Sequence, residues 1–215
     1  MLKTEGSTDP AIVKLLLLPV VLIVVFFLSF IIGSYPIPID TVLTIFFAKI
    51  IELPQFWPNE METIIFKIRL PRILAALLVG AALSASGAAY QGMFKNPMVS
   101  PGILGVSAGA SLGAALAILL SYNLVVVQLF AFSGGVLAVA ITYLISVWLG
   151  RNGNEMLVMI LVGIIVGTLF SAFLSLIKYA ADPYTKLPAI TYWLMGSLAT
   201  VDPGQMEFKR NGVRR

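Results

Sequence analysis

Long runs of apolar residues, broken by short polar segments, make up most of this chain. Residues 15–33, 73–94 and 156–177 carry no charged side chain. Each run is close to the roughly 20 apolar residues that a helix needs to cross the hydrocarbon core of a bilayer. These three runs therefore predict three transmembrane helices.

The longest uncharged stretch covers residues 96–150. Such a stretch is long enough for two crossings and a connection. We place the crossings at residues 103–120 and 124–148, with the polar triplet at residues 121–123 as the turn between them. The whole pattern therefore predicts an all-α, polytopic transmembrane helical bundle with about five spans.

The remaining segments are too polar or too short to cross a membrane. Residues 40–51 predict a short amphipathic helix at the membrane interface, with Asp40 as part of its start signal. Residues 52–69 predict an extramembrane loop, in which Phe56 and Trp57 are typical of the headgroup layer. Residues 190–199 are apolar but too few to span the bilayer.

Composition supports the membrane assignment and excludes several kinds of chemistry. Hydrophobic residues make up 59% of the 215 residues and charged residues only 11%, whereas soluble domains have about 25% charged residues. The chain has no cysteine, no histidine and no P-loop motif. We therefore expect no catalytic residue, no metal site and no bound cofactor. No basic run suits nucleic acid, and we interpret the basic residues at 209–215 as a solvated end.

Small residues recur at about four-residue spacing within the second, third and fifth predicted spans. Since lipid supplies no hydrophobic drive for helix association, such rows let helix backbones approach closely. They predict a compact bundle rather than a particular function. The positions assigned to helix packing are Gly80, Ser84, Gly87, Gly105, Gly109, Gly113, Gly163 and Gly167.

A cluster of proline and glycine follows the second span. Asn96, Pro97, Pro101 and Gly102 predict a tight turn between two spans. Ser100 is placed to cap the next helix, with Pro101 at its first position.

Several motifs point to one family. They read Arg-Leu-Pro-Arg at 69–72, Gly-Ala-Ala-Leu-Ser-Ala-Ser-Gly at 80–87, Tyr-Gln-Gly-Met-Phe-Lys-Asn-Pro at 90–97, Pro-Gly-Ile-Leu-Gly-Val-Ser-Ala-Gly-Ala at 101–110 and Tyr-Trp-Leu-Met-Gly-Ser-Leu at 192–198. Together they closely resemble the FecCD-type permeases of ABC importers, which take up iron–siderophore complexes, haem and cobalamin. The resemblance covers roughly residues 15–200.

The resemblance implies a set of partners and a docking site. Such a permease is a homodimer in the cell membrane, ordinarily with ten spans per subunit and a cytoplasmic N-terminus. Two copies of a separate ATPase drive it, and an extracytoplasmic solute-binding protein delivers the substrate. Arg69 and Arg72 then lie on the outer face, where guanidinium groups meet carboxylates of the binding protein. The alternative is that both arginines only anchor the span at the interface.

The C-terminal end departs from the family pattern. Residues 1–200 correspond to the N-terminal part of a permease domain, whereas residues 201–215 form a polar tail where a sixth span is expected. The family's coupling loop, which receives the ATPase, lies beyond that span. An early stop, a frameshift or a cloning boundary would each explain the ending, so a truncated, non-functional remnant remains an alternative. A membrane-embedded enzyme is a third hypothesis, but the spans offer it no catalytic group.

The five predicted spans contain no charged residue, which argues against a proton-coupled pump. A large, pre-chelated substrate needs a wide passage that binds it weakly. Small and polar side chains are the candidates to line such a passage, although each is more often a packing or backbone-bonding residue. The candidates are Ser84, Ser86, Gln91, Ser107, Ser111, Ser171 and Ser175.

Overall fold

A computed structural model describes the backbone of residues 10–51, 54–55, 57–150 and 155–200. Within those residues the chain is helical and contains no strand, so the predicted all-α membrane bundle is confirmed. The chain divides into two compact units, one formed by Met1–Val79 with Leu198–Arg215 and the other by Gly80–Ser197. The predicted boundary between residues 200 and 201 stays a prediction, because the tail lies outside the described residues.

Eight α-helices are described. They are α1 (Pro10–Ile31), α2 (Ile39–Ile51), α3 (Asn59–Thr63), α4 (Leu70–Phe94), α5 (Val106–Leu119), α6 (Leu124–Leu149), α7 (Glu155–Ala180) and α8 (Lys186–Met195). A π-helical segment, Ile64–Arg69, joins α3 to α4, and 3₁₀ turns cover Pro101–Leu104 and Leu198–Thr200.

Three stretches of the described chain are helical, long and apolar enough to cross a membrane: Asn59–Phe94, Leu124–Leu149 and Glu155–Ala180. Helix α1 has 22 residues, which is also the length of a span. Helix α5 has 14 residues, and the 3₁₀ turn before it occupies the rest of the predicted third span.

The predicted loop over residues 52–69 is wrong for its second half. Asn59–Arg69 is helical and runs directly into α4, so that one helical stretch covers Asn59–Phe94. The charged side chains of this segment suggested a loop, but a helix with polar residues on part of its surface carries them equally well. Pro71, which follows, donates no backbone hydrogen bond, and the wider π-turn before it accommodates the proline ring.

The first unit has its own apolar core. Phe30, Ile37, Ile45 and Ile65 are at most 1% exposed and lie in one cluster formed by the end of α1, the turn after it, α2 and the π-helical segment. Trp57 packs into the same cluster and is nearly buried. The predicted place of this segment in the headgroup layer stays a prediction, and Phe56 lies outside the described residues.

The second unit depends on very close helix crossings. A Cβ atom on Gly109 of α5 would collide with the carbonyl oxygen of Gly134 on α6, and one on Gly113 would collide with that of Phe130. A larger residue at either position would separate the two backbones. The small residues of α5 thus allow the close approach that membrane helices need in the absence of a hydrophobic drive.

The third predicted span begins later than expected. Gly105 adopts the left-handed conformation, with φ of 79°, and so ends the 3₁₀ turn before α5 starts at Val106. Pro101 occupies the first position of the 3₁₀ turn, but the side chain of Ser100 makes no capping bond there, so the predicted cap is wrong. Buried Thr142 of α6 donates to the carbonyl oxygen of Leu104 at 3.2 Å and holds the turn.

The short helix α8 is held against α5 by its first residue and by a buried residue in its middle. Ile190 is fully buried between the two helices. Lys186 donates to the carbonyl oxygen of Ile118 at 3.2 Å, close to the negative end of α5. Before α8, the hydroxyl and backbone N–H of Thr185 donate to Asp182 and hold the pKa of that carboxyl below its usual value. The carboxylate is therefore charged at neutral pH and caps the turn.

Candidate functional site

A groove of about 440 Å³ runs between α5 and α7 and reaches the 3₁₀ turn before α5. Glycines and small hydroxyl residues form much of its lining. The lining residues are Gly102, Ile103, Gly105, Ser107, Ala108, Ser111, Gly163, Ile164, Gly167, Thr168, Ser171 and Leu174.

The hydroxyl groups on α7 are bonded to their own helix. Ser171 donates to the carbonyl oxygen of Gly167 at 2.8 Å, and Thr168 donates to those of Ile164 and Ile165 at 3.0 and 2.8 Å. Since a hydroxyl has one proton, these two groups offer the groove mainly their acceptor lone pairs. They make the wall polar without leaving a strong donor exposed.

None of the described residues that line the groove has an ionisable side chain. The described wall therefore offers hydroxyl groups and the dipoles of backbone groups, without a neighbouring acid or base to activate a hydroxyl.

Glycines create the groove by bringing two backbones together. A Cβ on Gly163 would collide with the carbonyl oxygen of Ile103, and one on Gly105 would lie 3.2 Å from the backbone nitrogen of Gly167. The left-handed φ of Gly105 adds a second reason for glycine there. Gly105, between the 3₁₀ turn and α5, thus packs against α7, and the groove lies beside this contact.

Three of the seven serine and glutamine candidates meet in this groove: Ser107, Ser111 and Ser171. The other four, Ser84, Ser86, Gln91 and Ser175, are not among its lining residues. Sequence reasoning missed Thr168. Its position three residues before Ser171, on the same helix face, was the signal that could have found it.

The predicted turn residues lie together after α4. The side chain of Asn96 accepts from the backbone of Met98 at 2.9 Å, and Gln91 donates to the carbonyl oxygen of Pro97 at 3.2 Å. Pro101 and Gly102 follow in the 3₁₀ turn, and Gly102 is part of the groove. The turn therefore connects α4 to the candidate site.

The small residues of α4 are placed differently from those of α5 and α7. No described atom lies within 4 Å of a Cβ built on Gly80, and Ser84 is exposed. Gly87 comes closest to a neighbour, with the ring of Pro101 at 4.0 Å. For these three positions the packing role stays a prediction.

The two arginines predicted to dock a partner are half-buried and bonded within the first unit. Arg69 donates to the carbonyl oxygens of Phe30 and Tyr35. Arg72 donates to the carbonyl oxygen of Ala199 at 2.7 Å. The structure thus gives both side chains a local partner, and their docking role stays a prediction.

A second, larger groove of about 650 Å³ lies among Tyr90, Val106, Phe132 and Tyr143. Its lining is almost entirely apolar. In a bilayer such a surface is compatible with hydrocarbon, so the groove lined by hydroxyl groups is the better candidate for a polar solute.

Residues 21–208 match the sequence profile of the FecCD transport family. The chain belongs to the FecCD transport family. The resemblance found in the motifs at 69–110 and 192–198 is thereby confirmed. As a member of this family, the chain is a multi-pass protein of the cell membrane.

Named relatives in the family carry different substrates. The chain is 39% identical to the molybdate import system permease protein MolB of Haemophilus influenzae over 183 residues, 85% of this chain and 53% of the relative. It is 40% identical to a probable iron chelatin transport system permease of Helicobacter pylori over 141 residues, 66% of this chain and 41% of the relative. It is 39% identical to the vitamin B12 import system permease BtuC of Salmonella paratyphi A over 144 residues, which are 66% of this chain and 43% of the relative.

A solved structure confirms the fold. It is described as an inward-facing conformation of a "metal-chelate type ABC transporter", and it aligns with a TM-score of 0.72 at 36% identity. The match covers 93% of this chain and 57% of that structure. The chain spans about half the length of the curated relatives it matches.

Proposed function

We propose that this chain is a permease subunit of an ATP-driven importer and that the groove between α5 and α7 forms part of its translocation pathway. The observation that carries the proposal is the groove's lining of small and hydroxyl residues without an ionisable side chain. In a membrane protein, a wall with hydroxyl lone pairs and backbone dipoles is suited to a water-filled passage.

The cargo that we propose is a metal complex of the iron-chelate, haem or cobalamin type. None of the described residues that line the groove is cysteine, methionine or histidine, so this wall offers no sulfur or imidazole ligand that would strip a metal from its own complex. The molybdate permease among the relatives extends the class to compounds in which oxygen already surrounds the metal. The shared requirement is passage of a preassembled metal compound.

The proposed assembly has three kinds of partner. A second copy of this chain completes the pathway, separate ATP-binding subunits supply the driving force, and a solute-binding protein delivers the cargo outside the cell. ATP hydrolysis is assigned to the separate subunits, because this chain has no P-loop. The comparisons do not favour the alternative of a non-functional remnant.

Docking of the binding protein is assigned to the face that carries Arg69 and Arg72. Guanidinium groups pair with carboxylates in a fixed, two-pronged geometry, so they can set the register of docking. One terminal nitrogen of Arg72 donates to the carbonyl oxygen of Ala199, and we assign its other terminal nitrogen to a carboxylate of the binding protein.

Copurification and uptake together test the proposal. The chain is tagged in its native membrane, and the proteins recovered with it are examined for an ATP-binding subunit with a P-loop. Uptake of radiolabelled cyanocobalamin, a ferric siderophore and molybdate is then measured with and without the chain. We expect the ATP-binding subunit to copurify, and uptake of one cargo to fall at least about tenfold without the chain.

In a second strain, the chain is kept and the P-loop lysine of the recovered subunit is replaced. Uptake in this strain should fall as far as it does in cells without the chain. If no ATP-binding subunit copurifies and all three cargoes enter at unchanged rates, the chain is not such a permease.

A further inference from the structure

The guanidinium group of Arg69 joins the end of one helix to the turn that follows it. One terminal nitrogen donates to the carbonyl oxygen of Phe30, in the last turn of α1, and the other donates to the carbonyl oxygen of Tyr35. The two acceptors are five residues apart in sequence. The side chain therefore spans the connection between α1 and α2 as a bridge.

The chemistry at the end of α1 suits this bridge. The last carbonyl groups of a helix have no partner within the helix and carry its negative partial charge. The planar guanidinium of arginine can donate two hydrogen bonds in a fixed fork, which a lysine cannot do. Arg69 thus satisfies one helix-end carbonyl and one carbonyl of the turn at the same time.

Gly33 provides the space in which the guanidinium lies. A Cβ on this residue would be 2.5 Å from the Nη2 atom of Arg69 and 3.1 Å from its Cζ atom. The backbone of Gly33 is outside the left-handed region, so its conformation is open to other residues. A side chain at residue 33 would therefore displace the guanidinium of Arg69 from its place.

The π-helical segment directs Arg69 toward this place. The backbone N–H of Leu70 donates to the carbonyl oxygen of Ile65, which is the five-residue spacing of a π-turn. Ile65 is fully buried in the core beside Phe30. Arg69 comes one turn later, and its side chain reaches the same region of the first unit.

We infer that Arg69 and Gly33 form a clamp that fixes the connection between α1 and α2, and that Arg69 is a positioning residue. Both of its terminal nitrogens are used by carbonyl groups of its own chain. Each of these nitrogens has a second N–H, but a partner's carboxylate that drew the guanidinium toward itself would release the turn. Arg72 bonds to Ala199 instead, so it can meet a carboxylate without disturbing this turn.

Hydrogen exchange of the chain in lipid nanodiscs tests the clamp. We expect Arg69→Ala and Gly33→Ala each to raise the exchange rates of the hydrogen-bonded amides at residues 28–32, at the end of α1, about tenfold, because the two bonds that hold this helix end and the turn after it are lost. The double variant should show no further increase, since both changes remove the same contact. Arg69→Lys, which keeps the charge but not the fork, should exchange nearly as fast as Arg69→Ala.

Labelling with phenylglyoxal, a reagent for accessible arginines, measures directly how accessible the guanidinium of Arg69 is. Arg69 should be protected in the unaltered chain and reactive in Gly33→Ala, while a folded chain is verified by its thermal unfolding. The matched control is Gly80→Ala, in which the new methyl group meets no described atom within 4 Å and neither reading should change. Unchanged exchange and protection in Gly33→Ala, or equal effects from Gly80→Ala, would overturn the inference.

Discussion

Replacing Gly109 by alanine is expected to destabilise the membrane-embedded fold by about 1–3 kcal/mol, as overpacking of a close contact does. The added methyl group would collide with the carbonyl oxygen of Gly134 and would lie 2.7 Å from the Cβ atom of Ala138. Neither neighbour is the end of a flexible side chain, so α5 and α6 must move apart. Unfolding of the chain by sodium dodecyl sulfate in mixed micelles measures the loss.

The control for this prediction is the same change at another helical glycine. Gly80→Ala adds a methyl group with no described atom within 4 Å, and it exchanges glycine for the best helix former. We expect it to be neutral or to stabilise the chain by up to about 1 kcal/mol. Equal losses from Gly109→Ala and Gly80→Ala would show that the α5–α6 crossing does not depend on the absence of a side chain.

The second large effect is expected on transport. Ser171→Trp places a bulky ring in the groove of about 440 Å³. If the cargo passes there, uptake should fall at least about tenfold, which corresponds to about 1.4 kcal/mol in the barrier. The measurement is uptake of the cargo identified for this transporter, at equal amounts of chain in the membrane.

Ser133→Trp is the matched control. Ser133 is exposed on α6, and its hydroxyl bonds to carbonyl oxygens of its own helix, as that of Ser171 does. It does not line the groove. We expect uptake within about twofold of the unaltered chain, because a surface substitution changes little. A similar loss from both variants would point to a general effect of tryptophan on assembly.

Most of the fold could be predicted from the sequence because bilayer thickness and hydrophobicity together fix the spans. Helices α4, α6 and α7 lie close to the runs predicted for them. The extension of α4 back to Asn59 could not be predicted, since charged side chains occur both in loops and on the exposed faces of helices. The break at Gly105 was also missed, because glycine occurs both at left-handed helix breaks and inside closely packed membrane helices.

The candidate site was only partly predictable. Serines within the predicted spans could be named as candidates to line a passage. However, a serine that lines a groove and one that only bonds to its own helix have the same local pattern. Ser107 and Ser171 come together because Gly163 and Gly167 bring α7 against the segment before α5, and that is a tertiary contact. The sequence singled out Arg69 and Arg72 by their motif, but only the structure shows that Arg69 bonds to the carbonyl oxygens of Phe30 and Tyr35.

Labelling of a thiol placed on α7 decides whether the groove is a water-filled part of the pathway. The chain has no cysteine, so Ser171→Cys and Ser133→Cys each add one thiol to every copy of this chain. We expect a water-soluble maleimide to label Ser171→Cys and stop uptake, and the cargo to slow this labelling, while Ser133→Cys keeps its uptake after the same treatment. If Ser171→Cys reacts fully and the transporter still takes up its cargo at the original rate, the groove is not part of the pathway.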